Sequence, residues 1–313
     1  MIDKTEVTNS EGSALKGFVV GLITAVAFGL GGFFLVYDRA DFGGMGIVLF
    51  ICVPLATGFA TALVAHGGNI IIASLGIALV VCTIVLIATK FEGFVCVLMS
   101  APLIGVGMAI GALFGWLFRV KVLNRTKAPR VVMLLILLVL PLFLMGANSA
   151  EKESLRTLRA QTVNDFIIVD APPEAVWNQL KGMEHIDGSK SFLMKIGLPV
   201  PVSCKTVGEG VGGKRTCYFE SGFIEEKIVE WNYPNSMKFE ITASEVPGRP
   251  WLTFRDASYS ITRENGHTRV SRDTTILSRL SPVWYWRRLE AIGVHTEHRY
   301  LFEALEHNLK NAK

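Results

Sequence analysis

Apolar residues crowd the first half of this chain into five long runs, at residues 17–37, 44–65, 69–89, 93–118 and 131–147, and no comparable run follows. The first four reach the ~20 residues with which a helix crosses a bilayer. The fifth, VVMLLILLVLPLFLMGA, has 17 residues, the lower limit, but it is the most uniformly apolar and also reads as a span. Residues 148–162, NSAEKESLRTLRAQT, are polar and mixed in charge and read as a linker. The pattern then changes period. NDFIIVD reads as a strand, and APPEAVWNQLKGM as a helix opened by prolines, which suit a first turn. Strand-like runs follow at 200–207, 212–220, 223–232, 236–244, 250–262 and 267–277, with Asn265-Gly266 marking the last hairpin. From Ser281 onward the chain reads helical. Its apolar stripe of Leu289, Ile292, Leu301, Leu305 and Leu309 is broken between His295 and Arg299. The pattern predicts a multi-pass α-helical membrane bundle (1–147), a linker (148–162) and an α+β domain (163–313) whose antiparallel sheet wraps a long C-terminal helix. The concave space between sheet and helix suits an apolar ligand.

Charge sharpens this division. Residues 1–147 hold nine Lys/Arg and six Asp/Glu, against 22 and 21 in the remainder. Neither part has the basic field that nucleic acid requires. The loop 119–130 carries Arg119, Lys121, Arg125, Lys127 and Arg130 and no acid, whereas 38–43 has one base and two acids, 66–68 has no base and 90–92 has one. The positive-inside rule then places 119–130 and the N-terminus in the cytoplasm and the C-terminal domain on the outer (periplasmic or extracellular) side of the plasma membrane; if the fifth run does not cross, that domain is cytoplasmic instead. Asp3, Glu6 and Glu11 precede the first run, which argues against a cleaved signal peptide. The cores of the five runs contain no ionisable residue, so nothing suggests an ion or proton path. The bundle reads as an anchor. Gly107, Gly111 and Gly115 form successive GxxxG steps, suited to tight packing within the bundle or to a dimer face or gate.

The run IIVDAPPEAVWNQL, with Ala171, Pro172, Glu174, Val176 and Trp177, resembles the opening strand and helix of SRPBCC (START-like) proteins, which include the polyketide cyclase/dehydrase and lipid-transport group. GEGVGGKRTCYFESGFIEEKIVEW is similar to that group's third and fourth strands. The resemblance covers residues 163–310. It implies a helix-grip domain and a cavity for a hydrophobic small molecule or lipid, and leaves activity open.

In the Gly-rich hairpin, a turn at Gly210-Val211 brings Cys204 opposite Cys217 as a non-hydrogen-bonded pair, a disulfide candidate with Cα atoms near 4.5 Å apart. Such a bond requires an oxidising compartment, in accord with the outer-side topology. Trp177, Phe219, Phe239, Phe254, Tyr259 and Trp286 are candidates to line the cavity, among further aromatics that include Trp251. The segment Pro282 to Arg288, PVWYWRR, also suits a membrane interface or its anionic headgroups. His295, His298 and His307 read as a solvated face of the last helix; the alternative is a metal shared by His295 and His298 (i, i+3) with Glu297 or a distant carboxylate. Glu225, Glu226, Glu230, Arg255, Asp256, Arg269, Arg272 and Asp273 read mostly as the outer face of the sheet, with one or two directed into the cavity. No metal motif is present, no cofactor is implied, and no catalytic triad is visible from spacing. The first functional reading is a membrane-anchored START-like domain that binds a hydrophobic ligand. The alternatives are a cyclase- or hydrolase-like enzyme using the same cavity, and a structural or regulatory protein with a protein partner.

Overall fold

A computed structural model describes residues 4–37, 45–89, 93–246 and 252–311. The chain forms two compact units, Met1–Thr157 and Leu158–Lys313. Loops 38–43 and 90–92, used above to weigh charge, lie outside the described residues, as does Trp251.

The first unit is helical, so its apolar segments satisfy their own backbone polar groups. Its helices are α1 (Lys4–Val36), α2 (Val53–Val64, preceded by a π-turn at Val48–Cys52), α3 (Gly68–Ala88), α4 (Phe94–Lys121) and α5 (Pro129–Arg156). Four of them are long and apolar enough to cross a membrane; the helical stretch Val48–Val64 is shorter. The run predicted from residue 44 therefore begins later, where Glu151 of α5 accepts the backbone N–H groups of Ile47 (2.6 Å) and Val48 (3.0 Å). This carboxylate supplies a cap that no local side chain provides. Polar residues 148–156 continue α5 beyond the fifth apolar run. Asn148 there donates from Nδ2 to the carbonyl of Val36 (3.3 Å).

Contacts define the direction of every helix. Gly17, Gly21 and Gly29 of α1 face Ile70, Ser74 and Cys82, so α1 and α3 run parallel, while Gly21 and Gly32 face Ala65 and Val53, so α2 runs against α1. Gly107, Gly111 and Gly115 of α4 lie on Pro54, Leu55 and Phe59, so α2 and α4 run parallel. The bonds of Asn148 and Glu151 place the last turns of α5 beside the end of α1 and the start of the second helix. At the opposite end, Arg119 donates to the carbonyls of Ala62 (3.2 Å) and Ala65, closing the C-terminus of α2. Successive helices thus alternate in direction. The basic 119–130 segment lies at the end of the bundle opposite the C-terminus of α5.

The second unit opens with β1 (Arg159–Val169), α6 (Pro173–Lys181) and α7 (Phe192–Lys195). There follow β2 (Pro201–Val207), β3 (Lys214–Phe219), β4 (Gly222–Asn232), β5 (Ser236–Ser244), β6 (Leu252–Glu264) and β7 (His267–Ser278), then α8 (Val283–Asn311). The strands form one seven-stranded sheet in the order β1-β7-β6-β5-β4-β3-β2, antiparallel throughout. An antiparallel sheet gathered on a long C-terminal helix is the helix-grip arrangement. The hairpin at Asn265-Gly266 forms with both residues at positive φ (51° and 86°), which is what a two-residue turn of this type demands. The stretch 148–162, read as a linker, is divided between α5 and β1. Gln161 is drawn into β1 by its bond to the carbonyl of Arg287 (3.0 Å). The edge strand β2 is covered by residues 183–186, through Cys204 N–H to Met183 O (2.6 Å) and Ile186 N–H to Val202 O (2.9 Å).

The glycine stripe of α4 packs within this bundle, and the approach is backbone on backbone. A Cβ at Gly111 would lie 2.1 Å from the carbonyl oxygen of Leu55, whereas one at Gly105 meets nothing within 4 Å. Gly111→Val is therefore expected to destabilise the bundle by about 1–3 kcal/mol through overpacking, and Gly105→Ala to be neutral. Thermal unfolding of the two variants in detergent, followed by size-exclusion chromatography, checks this pair.

A polar seam between the sheet and the last helix

Alternation along the strands puts Val163, Asp165, Ile167 and Val169 of β1 on one face, and Val270, Arg272, Thr274 and Ile276 of β7 on the same side. Facing them, α8 buries Trp286, Glu290, Val294, His298, Leu301, Leu305 and Leu309, spaced three or four apart. Ile292, expected in the apolar stripe, is exposed. Polar groups take core positions where the apolar stripe broke.

The centre of the seam is His298, with 0% exposure. Its Nδ1 lies 2.7 Å from Asp165 Oδ2, and its Nε2 lies 2.7 Å from the hydroxyl of Thr274. His295 joins the same carboxylate through Nδ1, at 2.7 and 2.9 Å. Beside it, Arg272 donates from Nη2 to Glu297 Oε1 (3.0 Å) and from Nη1 to the Tyr259 hydroxyl. Its guanidinium lies over the Tyr259 ring, 4.9 Å from the centroid. Further across the sheet, Arg215 pairs with Glu226 (3.4 Å) and covers the Phe239 ring at 4.6 Å. A second contact of sheet with helix lies toward the start of α8. There Arg159 donates to Glu290 (2.9 Å), which also accepts the Ser278 hydroxyl.

Burial drives the pKa of His298 down to about 2, and the nearby Arg272 and His295 add to the effect. The ring is therefore neutral. Its Nδ1–H donates to Asp165, and its Nε2 lone pair accepts the Thr274 hydroxyl proton. Burial also works against the charge of Arg272, but Glu297, Tyr259 and Glu226 outweigh it and raise its pKa. Burial pushes the Glu297 carboxyl up, opposed by Arg272. The Nε–H groups of Arg215 and Arg272 are buried and have no hydrogen-bond partner among the described residues. Chemically, the seam thus offers two unsatisfied donors and one hydroxyl held against a neutral imidazole whose other nitrogen is anchored by a carboxylate.

The six aromatic candidates separate. Trp177, Phe239 and Tyr259 are buried in the main core, with Phe219 packed against it. Trp177 meets Trp231 edge-on at 4.8 Å and Tyr233 at 5.4 Å. Phe254 belongs to a smaller cluster with Val163, Ile276 and Val294. Trp286 is buried near the start of α8. Cys204 and Cys217 are register partners with Sγ atoms 2.04 Å apart and Cα atoms 4.0 Å apart. The loop between their strands spans residues 208–213, wider than a two-residue turn.

One expectation is corrected. His298 is wholly buried and His295 lies 44% exposed on Asp165, so only His307 belongs to an exposed helix face. Of the charged strand residues, one or two of which are expected to face inward, Glu226 and Arg272 do so. Paired charges and a cross-strand carboxylate make that burial tolerable. Asp165, Arg215 and Thr274 also carry the site and are absent from the sequence-based candidates. The available signal was alternation: each strand member shares its parity with buried apolar neighbours.

No family model matches the chain, and no curated protein matches it. Solved structures similar to part of it include a protein from Thermus thermophilus (21% identity, TM-score 0.36, covering 49% of this chain and 99% of that one). Others are Ara h 8.0201 (13%, 0.34, 49% and 99%) and the Aha1 dimer from Colwellia psychrerythraea (14%, 0.31, 47% and 96%).

Two outcomes follow from the seam. Arg272→Met should cost about 3–5 kcal/mol, because it leaves Glu297 buried without its partner, and adding Glu297→Leu should recover most of that loss; denaturant unfolding of both variants measures it. Unfolded His298 takes up a proton below its ordinary value of 6.5 and the folded form does not. Its contribution is therefore complete above pH 6.5 and is lost as pH falls toward 2, by at most about 1.4 kcal/mol per pH unit. Unfolding curves between about pH 7 and 4.5 should be flatter for His298→Gln than for the parent chain.

Proposed function

We propose that this chain is a membrane-anchored ligand-binding protein. Its C-terminal domain takes a hydrophobic molecule, a membrane lipid in the first instance, between the sheet and α8. The observation that carries this reading is the pair of buried, unpartnered Nε–H donors of Arg215 and Arg272, set among Phe239 and Tyr259. A buried donor left unmade costs about 1–3 kcal/mol. A ligand whose polar end brings an oxygen acceptor removes that cost, while aromatic surface holds its apolar part. In this reading the bundle holds the domain at the membrane that supplies the ligand. The 119–130 segment is cytoplasmic and the domain lies on the outer side, where a Cys204–Cys217 disulfide persists.

The Asp165–His298–Thr274 relay favours a second reading, an enzyme of hydrolase or cyclase type. His298 Nε2 is within hydrogen-bond reach of the Thr274 hydroxyl, and a ligand hydroxyl in its place would meet the same nitrogen; burial makes that nitrogen a weak base, so this reading requires a bound ligand that raises its pKa. On that reading, His298→Gln lowers hydrolysis of p-nitrophenyl acyl esters on the order of 10²–10⁴-fold. Equal rates for variant and parent remove it.

Ligand binding is tested on the full chain, purified from its membrane, by native mass spectrometry after delipidating washes. The expected result is one retained lipid species per chain in the parent, lost in Arg272→Met. Identical lipid profiles in the two would overturn the proposal.

A further inference from the structure

The N-terminal part of α8 carries a stripe that the interior does not use. Trp284, Arg288 and Ile292 stand at i, i+4 and i+8, on one face of the helix. Trp284 is 67% and Ile292 47% exposed, and Val283 beside them is 43% exposed. Arg287 and Arg288 are exposed too. The acid on the same turn, Glu290, is turned inward to Arg159 and Ser278 and does not neutralise them. Trp284, Val283 and Ile292 thus lie exposed beside Arg287 and Arg288. Indole, aliphatic side chain and guanidinium together match the boundary of a bilayer: the apolar groups enter the acyl edge and the cations meet anionic headgroups.

Chain connectivity indicates which partner is at hand. Polar residues 148–156 carry α5 about 13 Å past its apolar run, and only Thr157 and Leu158 separate Arg156, its last residue, from Arg159, the first of β1. Those three Cα–Cα steps extend no more than about 11 Å. Arg159 is bonded to Glu290, and Gln161 to the carbonyl of Arg287, so this part of α8 is tied to the residues that follow the membrane-span candidate. We infer that the Trp284–Ile292 face of α8 docks on the anionic surface of the membrane that α5 crosses. The inference rests on the anchoring reading above and adds a specific lipid-contact surface to it. It also gives the helix that covers the candidate ligand site a direct contact with the bilayer.

The test uses the full chain in nanodiscs of phosphatidylcholine, with or without phosphatidylglycerol. It carries p-benzoylphenylalanine at one position, either Trp284→p-benzoylphenylalanine or Leu138→p-benzoylphenylalanine in α5. After irradiation, a phospholipid adduct is expected at both positions. The adduct at 284 should rise with phosphatidylglycerol, fall at high salt, and drop roughly five-fold per arginine reversed in Arg287→Glu and Arg288→Glu. An adduct at 138 without one at 284 overturns docking and leaves the anchor intact. No adduct at either position overturns both. An adduct from 284 to a second copy of the chain, with none to lipid, assigns the face to self-association and overturns the proposal.

Discussion

A charge buried without a counter-charge costs several kcal/mol, and that constraint governs how the sheet and the last helix meet. Arg272 is tenable inside only where Glu297 reaches it, and Arg215 only beside Glu226. Asp165 is held by two histidines one turn apart on α8. These partners lie on β1, β3, β4, β7 and α8, so a slip of one turn in the helix, or of one residue in β7, breaks several pairs together. An apolar interface tolerates such slips, because area burial carries no direction. The seam therefore specifies one packing, and the aromatic core around Trp177, Phe239 and Tyr259 supplies most of the burial.

The parts of the fold that depend on local periodicity were legible in the sequence. Strand runs from 200 to 277, the turn at Asn265-Gly266 and the apolar spans each announce themselves within a window of a few residues. The site was less legible because its members are spread over five elements and become neighbours only through sheet order. His298 was read as surface because an imidazole in a helix beside Glu297 and Arg299 has the composition of a solvated face. What distinguished it was its spacing from Val294 and Leu301, which continues the buried stripe through the apparent gap. A break in an apolar stripe marks a helix leaving the core or a polar group entering it, and here it marks the second.

In the bundle, similar reasoning applies to backbone polarity. Gly58, Gly111 and Gly115 bring α2 and α4 so close that main-chain atoms meet, which adds dispersion contacts between the two helices. Capping there is done by groups distant in sequence: Glu151 at the start of the second helix and Arg119 at its end. Two of the few charged side chains near the spans thus serve helix ends. Arg119, counted first as a topological signal, also has a structural use.

The sheet order has a consequence for synthesis. β1 is the first strand made, yet its neighbour in the sheet is β7, the last, and Asp165 meets His298 only 133 positions later. Until the ribosome reaches the end of α8, the nascent domain holds an unpaired strand with Phe166, Ile167 and Ile168 in it, and a carboxylate without its histidines. Closure of the domain is therefore an event that follows synthesis of α8, governed by long-range pairing. During that interval β1 is the segment most open to mispairing with another chain, a cost that falls on whichever compartment receives it.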